Sequence, residues 1–319
     1  MMLYPKSREE WLELRRRFVS STESAALFGL SKYSTAFELG VSKREGLDTF
    51  EENERSEWGT ALQRTIATMF SERHAVKVRA LTGYADAGDG MGASFDYEIV
   101  GKLPPTTVYG DADCALMYDE CGPGILEIKN VDSLVYRNEW TDEAPPHIEI
   151  QVQHQLEACE REWACLAVLV GGNRLESFIR RRDRAVGAAL RRRIVTFWSD
   201  FHRGTLPPPV LPADAALIAQ IYRHAEPASV LDAQGNDSIR DICAQYMMAA
   251  ADERDAKQRK DSCKAMLLPM IGTAERVLVD GYTISAGTVA ETEVKAYVRS
   301  AYRNFKITPK KSNGKTRAD

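Results

Sequence analysis

The sequence predicts an α/β protein: a mixed central β-sheet flanked by helices, with a mainly helical extension that closes on a β-hairpin. Three observations carry this. Apolar residues recur at helical spacing before Arg73 and in strand-like runs after it. "WACLAVLVGG", from Trp163, is an uninterrupted apolar run bounded by turn residues, and it follows an amphipathic helix, as a strand buried on both faces should. Prolines then crowd "GTLPPPVLPADAA", and this break in composition sets residues 1–205 apart from 206–319.

The elements follow in order. "SREEWLELRRR" opens with Ser7 and Glu10 at capping-box spacing and continues as a helix bearing Trp11 and Leu14. "SSTESAALFGLSKY" predicts a short helix capped near Ser21 or Thr22 and stopped by Gly29, and Ser34 is expected to cap another through Glu38 and Val41. A longer helix, about Glu52 to Arg73, buries Leu62, Ile66, Met69 and Phe70. "VKVRALTGY", "MGASFDYEIV" and "GILEIKN" read as strands, with an extra short strand expected from Ala112 to Tyr118 in the long connection between the last two. Proline entry and the stripe Ile148, Val152, Leu156 and Cys159 make "PPHIEIQVQHQLEACERE" a helix. "RLESFIRRRD" is the strand after "WACLAVLVGG", and Asp183 caps a helix ending in "FWSDF". Beyond the prolines come helical segments at about Asp214–Arg223 and Ser238–Leu268. The hairpin "RVLVDGYTISAG" turns at Asp-Gly, and a basic end is expected to be disordered.

Composition bounds the function. With 319 residues, 44% hydrophobic and 28% charged, the chain supports one large core and an appendage. The net charge of -4 does not announce a nucleic-acid binder, although arginines cluster at 15–17, 180–184 and 191–193, and Lys306, Lys310, Lys311, Lys315 and Arg317 gather in the tail. No apolar run is long enough for a membrane span, and the charged amino terminus does not read as a signal peptide. The six cysteines form no CxxC or zinc-finger spacing, so free thiols in a reducing, cytoplasmic setting are expected.

One stretch contradicts its own pattern. "GPGILEIKNVD" is a strand with a buried-looking interior, yet Glu127 and Lys129 share one of its faces. Burying such charges costs several kcal/mol unless they are paired or bound to metal. A second carboxylate on a neighbouring strand would complete an oxygen-rich pocket for Mg²⁺ or Mn²⁺, and Asp96 in "GASFD" is the first choice, with Asp113 of "YGDAD" (beside Asp111) the second. Metal, carboxylates and lysine together describe phosphodiester hydrolysis; "EIK" read alone fits a surface salt bridge across an edge strand better.

Five short motifs in sequence order sharpen this reading. Trp11, Arg15 and "SSTESAALFGLSKY" are followed by "WGTALQ", "ASFD", "LEIK" and "QVQHQL". From Trp11 to Phe201 the chain thereby resembles the lambda-exonuclease-like, or YqaJ-type, viral recombinase nucleases of the PD-(D/E)xK superfamily. The resemblance implies that Asp96, Glu127 and the Ile128 carbonyl ligate two Mg²⁺ or Mn²⁺ ions, with Lys129 as the catalytic lysine. It implies that Arg15, Thr22 and Ser94 bind the 5′ phosphate of the degraded strand. Gln151 and Gln155 would contact the DNA backbone or orient Lys129, with His154 between them structural. One position departs from the pattern: the carboxylate expected after "WG" is Gln63, a neutral and weaker ligand, and Glu57 is out of register to replace it. With only Cys243 and Cys263 in the last third, no iron–sulfur cluster is expected.

The implied activity is 5′-to-3′ exonucleolytic degradation of double-stranded DNA ends, leaving 3′ single-stranded tails for a strand-annealing recombinase. The implied assembly is a ring-shaped trimer, and the implied setting is a phage or prophage product in the bacterial cytoplasm. The extension could bind that partner, cover the ring or stabilise the trimer. The rivals are a structure-specific or restriction-like endonuclease on the same fold and a DNA-end-binding derivative with weakened catalysis.

Overall fold

The computed structural model describes residues 1–46, 53–103, 113–140, 143–291, 303–305 and 307, with Asp113 described by its backbone alone. The chain forms two compact units, Met1–Leu217 and Ile218–Asp319. Glu52, Asp111 and the tail lysines and arginine singled out above lie outside the described residues.

The first unit begins with β1 (Met2–Leu3), α1 (Arg8–Arg17), a 3-10 turn (Ser24–Phe28), α2 (Ala36–Glu45) and α3 (Glu54–Arg73). Ser7 caps α1 by accepting the Glu10 N–H, and Gly29 ends the 3-10 turn at φ 67°, a left-handed conformation that glycine adopts without steric cost. The cap of α2 is Thr35 rather than Ser34: it forms a full capping box with Glu38, and its hydroxyl also donates to the buried Asp214. On α3, Ile66 and Phe70 are buried as expected, but Met69 is exposed and Ala67 takes the inward position.

Strands β2 (Val76–Ala80), β3 (Tyr84–Asp86), β4 (Gly92–Ser94) and β5 (Tyr97–Lys102) follow, then α4 (Asp113–Cys121), β6 (Gly124–Val131), α5 (Ser133–Glu139), α6 (Pro146–Cys159), β7 (Trp163–Val170), β8 (Arg174–Arg181) and α7 (Arg184–His202). Five strands make one mixed sheet in the order β2-β5-β6-β7-β8, in which only β6 and β7 run parallel; β1-β3-β4 make a smaller sheet. The mixed sheet flanked by helices is thus the observed architecture.

Expectations for the strands are also corrected. "VKVRALTGY" divides after Ala80 into β2 and the start of β3, which join different sheets. "MGASFDYEIV" is not one strand: it breaks at Phe95 and Asp96, and its halves join different sheets. The strand expected from Ala112 to Tyr118 is instead α4, because Cys114 and Met117, three residues apart, both pack into the core under the main sheet. Asp113 therefore starts a helix and does not lie on a strand beside β6.

The sheet is buried on both faces. Ile125 and the β7 residues Ala164, Leu166 and Val168 meet Ile148, Val152 and Leu156 of α6. Leu126 and Ile128 meet Ile66 and Phe70 of α3 and Cys114 and Met117 of α4 on the other side. Gly124 is required where it stands, since a Cβ there would come within 2.4 Å of the fully buried Trp163 ring.

The proline-rich segment belongs to the first unit. Leu206 and Pro207 lie against Gly40 of α2, and Asp214 accepts from Thr35 at 2.7 Å, so the boundary falls later than the break in composition. After α8 (Ala215–Ile221), the second unit holds α9 (Asp237–Ile271), capped by Asn236, and the hairpin β9 (Arg276–Val279) and β10 (Tyr282–Ser285), turning at Asp280-Gly281 as expected. No helix among the described residues is long and apolar enough to cross a membrane.

The outer side of α6 is fastened by ion pairs. Glu157 receives Arg182 at 2.6 Å and Arg191, and Arg180 grips Glu149 through two nitrogens. Burial opposes the Glu157 charge, but Arg191 and Arg182 outweigh it and hold its pKa below the usual carboxylate value. A carboxyl depressed on folding adds stability that is present above its unfolded pKa and is lost as pH falls through the folded one. Glu157→Gln is expected to lower stability by roughly 1–3 kcal/mol at neutral pH. Urea midpoints of variant and wild type should then converge as pH drops below about 4.

Candidate active site

The central strand β6 turns Glu127 toward α6, where its carboxylate is only 4% exposed. Four hydrogen bonds meet there. Lys129 Nζ donates to Glu127 Oε1 at 2.7 Å and to Gln151 Oε1 at 3.0 Å; Gln151 Nε2 donates to the same Glu127 oxygen at 2.6 Å; Gln155 Nε2 donates to Oε2 at 2.7 Å. Gln151 and Gln155 reach one carboxylate because they stand one helical turn apart on a single face of α6.

Asp96 reaches the same place from the break between β4 and β5. The β5–β6 ladder ends at Tyr97 opposite Leu126, and the Asp96 side chain takes the next role, accepting the Ile128 N–H on Oδ2 at 2.9 Å. Its Oδ1 accepts from Gln63 Nε2 at 2.9 Å. Glu57 is exposed, in keeping with its register. Burial and then the Glu127 charge push the Asp96 pKa up to about 7, against the pull of Lys129, the Ile128 N–H and Gln63. Burial disfavours the Lys129 charge, yet Glu127 and Asp96 outweigh it and lift its pKa above the ordinary lysine value.

This donor set fits a hard divalent cation. Two carboxylates are crowded enough to resist joint ionisation, which a cation between them would relieve, and Gln155 Oε1 nearby is buried without a hydrogen-bond partner. Among the described residues no group of three His, Cys, Asp or Glu side chains gathers, so Gln63 leaves the site one carboxylate short.

Arg15 and Thr22 meet through Ser20. Arg15 approaches Ser20 Oγ at 3.5 Å, and that oxygen lies 3.3 Å from the Thr22 hydroxyl. The backbone of Val19 bonds to both Gly90 and Gly92, which sets this segment beside β4 and Ser94. Ser94 itself is tied by its carbonyl to Gln155 Nε2 at 3.1 Å. Two residues at this point escaped the sequence reading. Glu23 accepts from Arg15 at 3.2 Å and from Lys43 at 2.8 Å, and the Lys43 side chain is only 3% exposed. Burial opposes the Glu23 charge, but Lys43 and Arg15 keep its pKa low, whereas burial holds Lys43 below an ordinary lysine. No sequence signal couples residues this far apart in charge; the pairing is tertiary.

His154 is structural. Its Nε2 donates to the Gly92 carbonyl at 2.9 Å, its Nδ1 is buried without a partner, and burial lowers its pKa to about 4, so the neutral ring is the form present. Five residues of the arginine clusters pair with carboxylates of the chain itself: Arg180, Arg182 and Arg191 in partly buried positions, Arg181 and Arg184 at the surface.

Asp96, at the β4–β5 break, thus meets Glu127 and Lys129 of the buried central strand, and the glutamines of α6 brace them. Residues 10–162 match the YqaJ-like viral recombinase domain. The uncharacterized protein YqaJ of Bacillus subtilis is 30% identical over 228 residues, which cover 69% of this chain and 64% of that protein, so the chain spans somewhat under two thirds of its relative's length. Among solved structures, an alkaline exonuclease from Laribacter hongkongensis aligns at 20% identity and TM-score 0.47 over 61% of this chain and 93% of its own. A phage-related exonuclease from Haemophilus somnus aligns at 13% identity and TM-score 0.40 over 60% and 99%.

Restoring the missing carboxylate makes a direct test of the cation site. Gln63→Glu is expected to lower thermal stability without metal, because a third charge joins Asp96 and Glu127, and to gain more from added Mg²⁺ or Mn²⁺ than the wild type. The half-saturating metal concentration should fall by on the order of tenfold. Thermal shift across a metal titration reads both.

Proposed function

We propose that this protein is a metal-dependent 5′-to-3′ exonuclease that degrades one strand from double-stranded DNA ends and leaves 3′ single-stranded tails for recombination. The observation that carries the reading is the juxtaposition of Asp96, Glu127 and the charged Lys129 at one buried point of the sheet. In this reading Asp96, Glu127 and the Ile128 carbonyl hold two Mg²⁺ or Mn²⁺ ions, one of them more loosely because Gln63 is neutral. A bound divalent cation supplies Lewis-acid polarisation of the phosphate and an activated water at neutral pH.

The chain's own residues do the rest. Lys129 places a fixed positive charge where the phosphate gains negative charge in the transition state. Gln151 holds the Lys129 ammonium and Glu127 in one arrangement, so neither reorganises during the reaction. Arg15, with the Thr22 hydroxyl and Ser94, clamps the 5′ phosphate, and Glu23 keeps the guanidinium pointed at that place. A ring-shaped trimer and a strand-annealing partner complete the proposal. The neutral Gln63 gives a second reading some standing, that of a DNA-end-binding protein with weakened catalysis.

Nuclease assays with Mg²⁺ or Mn²⁺ on linear and closed circular DNA test the reading. Linear duplex is expected to be degraded and intact circles spared; cutting of circles would favour an endonuclease. Lys129→Ala and Asp96→Asn should each lose at least about a hundredfold in rate, and retained activity in both would overturn the site. For the clamp, the wild type should prefer 5′-phosphorylated over 5′-hydroxyl ends, and Arg15→Ala should erase that preference.

A further inference from the structure

The inner face of α6 carries polar side chains at successive turns: Gln155, Gln151 and, one turn nearer the helix start, His147. The first two grip Glu127 in the interior. His147 continues the row outward and is only partly buried. Its ring meets Tyr33 at a centroid distance of 5.7 Å with the planes at 82°, an edge-to-face pair. Tyr33 is 82% exposed.

The segment bearing Tyr33 is not loose. The Tyr33 and Ser34 N–H groups both donate to Ser31 Oγ at 3.2 Å, and Lys32 pairs with Glu139 at the end of α5. The row leads to the lysine: His147 stands one helical turn from Gln151, Gln151 accepts from Lys129 Nζ at 3.0 Å, and Tyr33 packs on His147. A single exposed aromatic is ordinary on a protein surface. One that is braced from beneath by His147, with its segment pinned on either side, at the end of the row that reaches Lys129 through Gln151, is placed to meet substrate. An edge-to-face pair leaves at least one face of Tyr33 free, since only one of its sides can receive His147.

We infer that Tyr33, braced by His147, is the platform on which the nucleobase of the nucleotide at the scissile phosphate stacks, an inference that rests on the nuclease reading. Every base offers a π-face, so stacking holds a nucleotide without reading its identity, as an enzyme that degrades DNA of any sequence requires. Hydrogen-bonding side chains at this place would impose a preference that a ring does not. Stacking fixes the sugar–phosphate linkage laterally, while Lys129 and the carboxylates act on the phosphate itself. Tyr33 is therefore a positioning residue, and its hydroxyl is dispensable.

The experiment compares wild type, Tyr33→Ala and Tyr33→Phe on linear duplexes that are intact or abasic at the nucleotide flanking the first scissile phosphate. On intact duplex, Tyr33→Ala is expected to lose roughly 5- to 100-fold in kcat/KM, while Tyr33→Phe keeps the wild-type value to within about twofold. On the abasic duplex, wild type should fall to the level of Tyr33→Ala, because the ring then has nothing to hold. Unchanged thermal stability of Tyr33→Ala excludes a folding defect. In EDTA, 2-aminopurine at that nucleotide should be quenched on binding wild type and not on binding Tyr33→Ala, a readout independent of cleavage. Equal kcat/KM for wild type and Tyr33→Ala, an abasic substrate that leaves their ratio unchanged, or equal quenching would each overturn the platform. A wild type that degrades no DNA would instead overturn the nuclease reading, and the quenching would still decide whether Tyr33 stacks on a base.

Discussion

The rest of the site depends on a carboxylate that has no business in a β-sheet core. Burying Glu127 costs several kcal/mol of lost hydration unless its oxygens are met by donors and its charge by an opposite one. The protein meets both needs from fixed positions: Lys129 two residues along the same strand face, and two glutamines a turn apart on α6. This arrangement dictates that α6 lie across β6 in one register, since sliding the helix by a residue would turn apolar Val152 or Leu156 toward the carboxylate. The segment "QVQHQL" is the outcome. Gln151 and Gln155 hold the charge, Val152 and Leu156 fill the core, His154 bonds to the Gly92 carbonyl, and Gln153 faces outward to the Arg181 carbonyl and the Asp183 N–H.

Satisfying Glu127 leaves Asp96 frustrated. It has the Ile128 N–H and the Gln63 amide, but the single lysine pairs with Glu127 and not with it. Its raised pKa comes first from burial and then from the Glu127 charge, against which the single lysine pulls. Such imbalance is costly to keep, and perturbed pKa values of this kind cluster at functional sites. Gln63 moderates it. A glutamate there would add a third negative charge beside the same lysine, whereas the amide donates to Asp96 and calms it.

Much of this was legible in the residues themselves. "LEIK" stood out because Glu127 and Lys129 break the apolar pattern of a central strand, and "QVQHQL" because it resembles the glutamine helix of a known family. Asp96 was legible as a partner but not as a geometry: read as part of one strand, its side chain would alternate with its neighbours, and the break at Phe95 is what frees it to reach the Ile128 N–H. The helix α4 was hidden because "ALMY" suits a strand as well as a helix, and only the packing of Cys114 and Met117 against one core resolves it. Glu23 and Lys43 were invisible for a different reason. Their pairing depends on α2 folding back over α1, and neither residue departs from its local pattern.

The arginines show why charge runs along a sequence are poor guides to what a surface presents. Arg182 and Arg191 converge on Glu157, Arg180 grips Glu149, and Arg193 donates to the Leu27 carbonyl. Glu149 and Glu157 lie on α6, on the side away from Glu127. The helix is thus held from behind by β8 and α7 while its glutamines reach forward to β6. Two donors aimed at a buried carboxylate keep their aim only if the helix cannot roll. Side-chain ion pairs on the rear of α6 oppose that roll, because arginine forks fix orientation as well as distance. Arg180, Arg182 and Arg191, which look like a nucleic-acid surface in the sequence, are thus engaged with the helix that carries Gln151 and Gln155 to Glu127.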